Sequence, residues 1–346
     1  MKLKRLCVQI LIGDARSALQ MEKKLSARIS RHTTAIQSRH ESDHAIATAY
    51  DQAGDKYVAY ADGDPKKLYA FDGHYAYGDR CIWESLFSKL CALRATGARS
   101  VRILDLGCGP GTWLRRVVAR ARAIGFDHVV ARGIDIADAQ VQRARELSAD
   151  LAATPGIDIT FEVGDILEPL AEPDASVDLT LCLCGVLNHV PAMDLPAVYA
   201  EIARVTRGCF ITSVRAVGST PTVYVEAIDQ ARRFRQDNQS NRLDVEFQDG
   251  RHISLPSHLF SAAELRALVA PHLDVEDLSG LDLFHGRFAS DPRWNPDAGT
   301  NAQFGRELEQ LEKSYCRDKE FIDHATHLLL IARRQSRLAR LSPRIW

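Results

Sequence analysis

The sequence has no run of eighteen or more apolar residues and no pair of cysteines in a CxxC arrangement. The first absence argues against a transmembrane helix, and the short apolar stretch from Leu6 to Ile12 lacks the small-residue cleavage site of a secretory signal. Several of the eight cysteines lie in apolar strand-like runs, where a thiol behaves as a small hydrophobe. We therefore expect a cytoplasmic protein that has no membrane contact.

The chain also lacks an excess of charge of either sign, with 44 Lys and Arg against 45 Asp and Glu in 346 residues. Because nucleic-acid binding usually requires a basic field, a nucleic acid is not favoured as the partner. The first forty residues and the tail at 336–346 are locally basic. The N-terminal segment could be a solvated helical extension, a transit peptide or an RNA-binding arm.

What is present from residue 101 onwards is an alternation of short apolar runs with helical periodicity. This alternation is typical of a parallel sheet covered by helices on both faces. Apolar runs predict five strands, at 101–106, 129–134, 157–163, 177–184 and 208–214. Periodicity predicts helices between them, at 113–124, 137–149 and 193–205.

The alternation stops after Arg215 for about forty-five residues. Within this interruption, Thr222 to Asn238 has a helical pattern, and Leu243 to Leu255 predicts two short strands joined at Asp249-Gly250. We interpret residues 217–258 as an inserted lid. Further on, Ser261 with Glu264 predicts a capping box, followed by a helix to 269, a strand near 273–278, a helix at 302–315 and a last strand at 326–332.

The strongest local signal is the glycine-rich segment between Val101 and Trp113, which follows a predicted strand and opens a predicted helix. Glycines at 107, 109 and 111 allow a tight turn and a close approach of the backbone to a nucleotide-like ligand. Such loops also bind dinucleotides, so a dehydrogenase remains an alternative at this point. The dinucleotide fingerprint, however, needs its third glycine where this chain has Thr112. Asp105 favours a cationic or amino-bearing ligand over a pyrophosphate.

These residues resemble the first motif of class I methyltransferases, an acidic residue followed by GxGxG. The resemblance covers about Val101 to Val214 and implies S-adenosylmethionine as the cofactor. It also implies a Rossmann-like three-layer α/β sandwich with a mostly parallel seven-stranded sheet. The residue patterns outside the resemblance predict a helical N-terminal extension and a lid inserted after strand 5. We therefore expect a methyltransferase domain over 98–216 and 259–335, an N-terminal helical, tyrosine-rich extension over 1–97 that caps the active site, the lid 217–258 and the tail 336–346.

The same resemblance implies a set of cofactor-binding residues. Asp105 and the glycine loop would hold the methionine part, Asp135 the ribose hydroxyls, and Asp165 the adenine amino group, with an apolar neighbour against the ring. Carboxylates suit a vicinal diol because one ionised group accepts two hydrogen bonds. The implied set is Asp105, Gly107, Cys108, Gly109, Gly111, Asp135, Ile136, Asp165, Ile166 and Cys184. Asp135 could instead cap a helix, and Asp165 could be a turn residue.

Outside these motifs the catalytic signal is faint, because methyl transfer from a sulfonium needs mainly orientation and at most one base. His189, just beyond the fourth strand, is a candidate base; it could also start a helix or contact the cofactor. Asn188 could orient the acceptor. Tyr57 and Tyr60 belong to a tyrosine cluster that suits the wall of a ligand pocket or a contact with the core. Cys182 and Cys184 alternate on a strand and are expected to face one side as buried thiols, and no metal site is predicted.

The sequence thus predicts a methyltransferase that acts on an oxygen or nitrogen of a small-molecule acceptor, a metabolite or natural product, and is compatible with a homo-oligomer. The first alternative is a tRNA or rRNA methyltransferase that uses the basic N-terminal segment and the C-terminal arginines. The second is a non-catalytic cofactor-binding protein, because a fold does not imply an activity.

Overall fold

The computed structural model describes residues 44–51, 68–69, 71, 76–219, 231–288, 293 and 302–335. The chain divides into two compact units, Met1–Ala45 and Ile46–Trp346, and every described residue except 44 and 45 lies in the second. Most of the predicted N-terminal extension, the tyrosine cluster at Tyr57 and Tyr60, and the basic tail lie outside the described residues. None of the described helices is both long and apolar enough to cross a membrane.

The second unit is built on a seven-stranded sheet. The helices are α1 (44–51), α2 (Ala76–Ala95), α3 (Thr112–Ala123), α4 (Asp138–Leu147), α5 (Ala149–Ala152), α6 (Leu195–Val205), α7 (Ala262–Val269), α8 (His285–Phe288) and α9 (Ala302–Tyr315). The strands are β1 (Ser100–Leu106), β2 (His128–Asp135), β3 (Ile157–Val163), β4 (Val177–Cys182), β5 (Thr206–Arg215), β6 (Ala231–Asp237), β7 (Arg242–Phe247), β8 (His252–Pro256), β9 (Leu273–Leu281) and β10 (His327–Arg334). Short 3-10 turns cover Val186–His189 and Ile322–His324.

The strand order in the large sheet is β3-β2-β1-β4-β5-β10-β9. Strands β1 to β5 are parallel, and β10 runs antiparallel to both of its neighbours. The predicted seven-stranded, mostly parallel sheet is therefore confirmed. The chain reverses its winding direction at β1 and β4, and open sheets of this kind bind ligands in the crevice beyond the carboxyl ends of the strands at that point.

Two hydrophobic clusters cover the faces of this sheet, which makes three layers. One cluster packs α2 and α3 against the sheet through residues such as Leu86, Leu90 and Val117. The other packs α6 and α7 through Tyr199, Ile202 and Leu265. Each apolar face is removed from water by helices, as the buried, Val- and Leu-rich strands require. Helix α2 thus belongs to the core that positions the first strand.

The segment after β5 contains a separate three-stranded antiparallel sheet in the order β6-β7-β8, which we call the flap (231–256). The predicted pair of strands around Asp249-Gly250 is confirmed as β7 and β8. The helical interpretation of Thr222 to Asn238 is wrong for its described part, because residues 231–237 form β6. Cross-strand pairing of β6 with β7 decides this conformation, and such a tertiary contact overrides local periodicity.

The start of α7 shows half of the predicted capping box. Ser261 Oγ accepts a hydrogen bond from the backbone N–H of Glu264 at 3.2 Å, as an N-cap residue does. The Glu264 carboxylate, however, pairs with Nε2 of His258 at 2.8 Å rather than with the backbone of Ser261. The side chain that the sequence assigns to the cap therefore fixes the chain segment that leaves the flap.

Candidate active site

The loop after β1 turns through three glycines in the left-handed region. The φ angles are 70° at Gly107, 51° at Gly109 and 75° at Gly111. A Cβ atom on Gly107 would lie 2.2 Å from a methyl carbon of Val186, and one on Gly111 would lie 2.8 Å from the ring of Phe161. Both backbone angle and space therefore require glycine at these two positions.

Hydrogen bonds tie this loop to the end of β2. The backbone N–H of Gly109 donates to Oδ2 of Asp135 at 2.8 Å, and the N–H of Ala137 donates to Oδ1 at 2.9 Å. The N–H of Cys108 donates to the carbonyl of Ile134 at 3.0 Å. Burial raises the pKa of Asp135, and the N–H groups of Ala137 and Gly109 act in the opposite direction. The carboxylate is thus fixed beside the glycine loop with lone pairs left for further donors.

The two neighbouring cofactor candidates differ in what their side chains contact. The Cys108 side chain is buried against β2, since a Cβ on Gly133 would lie 2.8 Å from its sulfur. Cys108 also lines the cleft beside the glycine loop. Ile136, directly after Asp135, is half-buried.

The predicted adenine-binding residues lie next to this carboxylate. The backbone N–H of Gly164 donates to the carbonyl of Asp135 at 2.9 Å, which places Asp165 beside the end of β2. Oδ1 of Asp165 accepts from the N–H of Leu167 at 2.9 Å. Ile166 packs partly against the core. Because β3, β2 and β1 are adjacent and parallel, Asp165, Asp135 and Asp105 all lie at one edge of the sheet.

Asp105 is a buried acid in the wall of a cleft. Its side chain is 2% exposed, and Oδ2 has no hydrogen-bond partner among the described residues. Burial and the nearby Asp135 carboxylate raise its pKa to about 7, although the backbone N–H of Leu114 acts in the opposite direction. A buried carboxylate oxygen without a donor is costly, and a ligand that brings an ammonium or N–H group would remove that cost.

The same cleft brings in residues that sequence reasoning missed. Asp79 from α2 and Arg116 and Trp113 from α3 line it together with Asp105. The Arg116 guanidinium lies 4.8 Å from the centre of the Trp113 ring and 4.9 Å from that of Phe71. Burial raises the pKa of Asp79 to about 6, and Arg116 opposes this shift. Acidic and basic side chains therefore meet at the glycine loop, a contact across distant segments that no local motif indicates.

Cys184 also lines this cleft, but Cys182 does not share its face of the sheet. Strand β4 ends at Cys182, and Cys184 has a φ of 59°. Cys182 packs in the cluster with α6, whereas Cys184 packs against the opposite one. The expectation that both thiols face one side is therefore wrong, because the strand alternation ends before Cys184. Burial raises the pKa of Cys184 to about 12.

His189 ends the 3-10 turn after β4 and makes hydrogen bonds through both ring nitrogens. Nδ1 lies 2.9 Å from the carbonyl oxygen of Pro256 at the end of β8, and Nε2 lies 2.9 Å from the hydroxyl of Tyr50 in α1. Burial lowers the pKa of His189, which favours the neutral imidazole. The predicted candidate base thus lies at the carboxyl edge of the sheet, between α1 and the flap.

Asn188 is fully buried, at 1% exposed, and its amide bonds to the protein backbone. Nδ2 donates to the carbonyls of Arg215 at 3.1 Å and His258 at 2.5 Å, and Oδ1 accepts from the N–H of Arg215 at 2.8 Å. Both donor hydrogens are therefore engaged. These bonds join the turn after β4 to the end of β5 and to the segment after the flap, so the geometry supports a structural role for Asn188 rather than the predicted acceptor contact.

Tyr57 and Tyr60 lie outside the described residues, and their acceptor contact stays a prediction. Within the part of the chain that the structure describes, no group of three or more His, Cys, Asp or Glu side chains could hold a metal ion.

Comparison with known proteins gives one family match and one similar curated protein. Residues 103–208 match a family model described as a methyltransferase domain. The probable methyltransferase ltbC of Aspergillus luteorubrus is 36% identical over 121 residues, which are 33% of this chain and 39% of that protein. The chain thus matches about two fifths of the length of this relative.

Two solved structures illustrate the structural similarity. An S-adenosylmethionine-dependent methyltransferase from Clostridium acetobutylicum is 11% identical, with a TM-score of 0.48, over 82% of this chain and 99% of that one. The complex of DhpI with S-adenosylhomocysteine is 14% identical, with a TM-score of 0.45, over 86% of this chain and 99% of that one.

Proposed function

We propose that the chain transfers a methyl group from S-adenosylmethionine to an oxygen or nitrogen atom of a small-molecule acceptor, and the match of residues 103–208 to a methyltransferase domain supports this proposal. The observation that carries the proposal is Oδ2 of Asp105, which lies in a cleft formed by the glycine loop and has no partner in the described part of the chain. A ligand with a cationic amino-acid end would satisfy this oxygen, whereas the pyrophosphate of a dinucleotide would be repelled.

The residues present fit the cofactor at each of its parts. Asp135 lies beside the glycine loop with acceptor capacity for the two ribose hydroxyls. Asp165 and Ile166, which come after the next strand of the sheet, would contact the adenine ring. At the other end, Asp105 would meet the α-amino group and Arg116 the α-carboxylate. When bound, S-adenosylmethionine supplies a methyl group on a positively charged sulfur, which is already activated for displacement.

His189 is proposed as the base that holds the positive charge once the acceptor has lost its proton. Burial keeps the imidazole neutral, and a neutral imidazole has one nitrogen lone pair available for a proton. The flap and α1 both contact this residue, so the acceptor would be enclosed between them and the end of β4. Exclusion of water in such a site strengthens the electrostatic interactions that orient the reactants.

Calorimetric titration of the full chain with S-adenosylhomocysteine, with NAD as the parallel control, tests the cofactor. We expect binding of the first ligand alone, and Asp135→Asn should weaken it by about tenfold or more because a charge-assisted pair of hydrogen bonds is lost. Asp158→Asn on the exposed side of β3 is the matched control and should bind as the wild type does. Binding of NAD, or of neither ligand, would reject the proposal.

The acceptor class is tested by measuring S-adenosylhomocysteine release with pools of phenols, carboxylic acids and amines, and with total tRNA as a separate arm. Methylation of a small molecule supports the proposal. Transfer only to tRNA, with an affinity that falls steeply as salt rises, would contradict the small-molecule assignment.

A further inference from the structure

Tyr50 and His189 are 139 positions apart in the chain and meet at the carboxyl edge of the sheet. The Tyr50 hydroxyl lies 2.9 Å from Nε2 of His189, and the two rings are edge to face with centroids 5.6 Å apart. Tyr50 precedes the methyltransferase domain in sequence. The contact therefore adds to the site a residue that the domain itself does not contain.

The hydrogen bonds of His189 determine where its protons lie. The carbonyl oxygen of Pro256 can only accept, so Nδ1 of His189 must carry the hydrogen that bonds to it. In the neutral ring, Nε2 then has a lone pair, and the Tyr50 hydroxyl must be the donor in their bond. The carbonyl of Pro256 thus fixes the tautomer whose basic nitrogen faces Tyr50.

Tyr50 is itself held in place over the cofactor-binding edge. Its backbone carbonyl accepts from Nε2 of Gln140 at 2.9 Å, and Oδ1 of Asp51 accepts from the backbone N–H of Ala139 at 3.0 Å. Both contacts join α1 to the first turn of α4, directly after Asp135. The Tyr50 ring therefore lies between the proposed ribose site and His189.

The groups that act on this pair come from several strands. Burial raises the pKa of Tyr50 most, Asp135 and Cys184 raise it further, and Arg215 lowers it. Burial and Arg215 lower the pKa of His189, and the Pro256 carbonyl opposes them. These residues end β2, β5 and β8 or follow β4, so the hydroxyl lies where the strand ends converge.

We propose that Tyr50 and His189 form a two-residue proton relay in which the Tyr50 hydroxyl, not the imidazole, contacts the methyl acceptor. This inference rests on the proposed methyltransferase function. As the acceptor atom bonds to the methyl carbon and the carbon–sulfur bond breaks with its electron pair on sulfur, the acceptor's proton passes to the Tyr50 oxygen. The proton of Tyr50 passes to Nε2 of His189. The resulting imidazolium donates from Nδ1 to Pro256 and from Nε2 to Tyr50.

A hydroxyl suits this position because it can donate to the neutral ring and, after rotation, accept from the charged ring. Hydrogen bonds to an ionised group are about twice as strong as neutral ones. Loss of the oxygen therefore destabilises the imidazolium more than the neutral imidazole. Tyr50→Phe should lower the pKa of His189 further, whereas mere opening of the site to water would raise it towards 6.5.

The test is a pH titration by nitrogen-15 NMR of the full chain with labelled histidine, with S-adenosylhomocysteine added in excess. The His189 signals are those missing from His189→Asn. We expect the wild type to show hydrogen on Nδ1, and Tyr50→Phe to lower the His189 pKa by about 0.5 to 1 unit. Tyr199→Phe is the matched control, because the buried Tyr199 hydroxyl has no hydrogen-bond partner within the described ranges. This variant should leave the pKa of His189 unchanged.

Hydrogen on Nε2 in the wild type, or an unchanged or raised His189 pKa in Tyr50→Phe, would overturn the relay. These measurements need no acceptor and can also be made without cofactor, so a failure of S-adenosylhomocysteine binding would reject the proposed function separately. With an acceptor from the release assay, Tyr50→Phe should lower kcat at least about tenfold with little change in the KM for S-adenosylmethionine. Equal loss in Tyr199→Phe would contradict a specific role for Tyr50.

Discussion

Gly107 lies directly against Val186, at a distance that leaves no room for a β-carbon. A Cβ on Gly107 would approach Cγ2 of Val186 to 2.2 Å and Cγ1 to 2.6 Å. Since Gly107 follows β1 and Val186 starts the turn after β4, this contact joins the two strands between which the sheet reverses its winding direction. The glycine loop and the turn that carries His189 are therefore one packed unit.

The first prediction separates this clash from backbone strain. Gly97 has a φ of 88°, and no atom of the described residues lies within 4 Å of the place that a β-carbon would take, so Gly97→Ala tests the backbone angle alone. We expect Gly97→Ala to lower the free energy of unfolding by about 1 kcal/mol and Gly107→Ala by about 2 to 4 kcal/mol, because the second adds an overpacked contact. Urea denaturation measures both.

A double variant then identifies the contact. If the clash with Val186 causes the excess loss, Gly107→Ala should cost less stability in a Val186→Ala background than in the wild type. Equal stability losses in Gly97→Ala and Gly107→Ala would show that the contact is unimportant.

The second prediction concerns the charged end of the cleft. Asp79 and Arg116 line it beside Asp105, an arrangement that fits a zwitterionic amino-acid group. Asp79→Asn should weaken S-adenosylhomocysteine binding by about tenfold and leave the binding of methylthioadenosine, which lacks the amino-acid end, within about threefold. Asp127→Asn, on the exposed loop before β2, is the control. A parallel loss for both ligands would place Asp79 elsewhere in the site or in the fold.

The sequence predicts features that depend on neighbouring residues better than contacts between distant segments. The positions of the glycine loop, Asp135 and Asp165 at strand ends were predictable, because a strand and its following loop form a local pattern. The family match to residues 103–208 confirms the predicted resemblance. The cleft contact of Asp79 and the pairing of Tyr50 with His189 were not, since they join distant segments. The same limit made the interpretation of β6 as helix wrong: its conformation is set by pairing with β7.

The third prediction concerns Asn188, whose side chain makes three hydrogen bonds with the backbone of Arg215 and His258. Asn188→Ala would remove the side-chain partner of the Arg215 N–H and of the His258 carbonyl, whereas the Arg215 carbonyl keeps its bond from the N–H of Phe260. Since each buried group without a partner costs about 1 to 3 kcal/mol, we expect the free energy of unfolding to fall by at least about 2 kcal/mol. Gln303→Ala removes an exposed amide bonded to Glu307 and should change it by less than about 0.5 kcal/mol. Similar small losses in both variants would exclude the structural role of Asn188.

The fourth prediction is a pH dependence that originates at Asp105. Its pKa is about 7 in the folded chain, and 3.8 is the ordinary value that we take for the unfolded chain. Between these pH values the folded chain therefore holds a proton that the unfolded chain has released. The contribution of Asp105 to stability therefore falls as pH rises from about 4 to about 7 and stays constant above. Asp105→Asn removes this dependence. The variant should gain stability relative to the wild type across that window and be the more stable protein at about pH 8.

The affinity for the ligand should depend on pH in the opposite direction, through the same residue. An ionised Asp105 attracts the ammonium group of S-adenosylhomocysteine, so the affinity of the wild type should rise as pH increases through about 7. Asp105→Asn should bind more weakly at about pH 8 and lose most of this rise. Thermal unfolding and calorimetry at intervals of about one pH unit from about 5 to about 8 measure the two effects on one pair of proteins. A variant that is less stable than the wild type and equally pH-dependent would contradict this prediction. The Asp105 carboxylate would then have its hydrogen-bond partners within the folded chain and would not be the group that binds the ligand's ammonium.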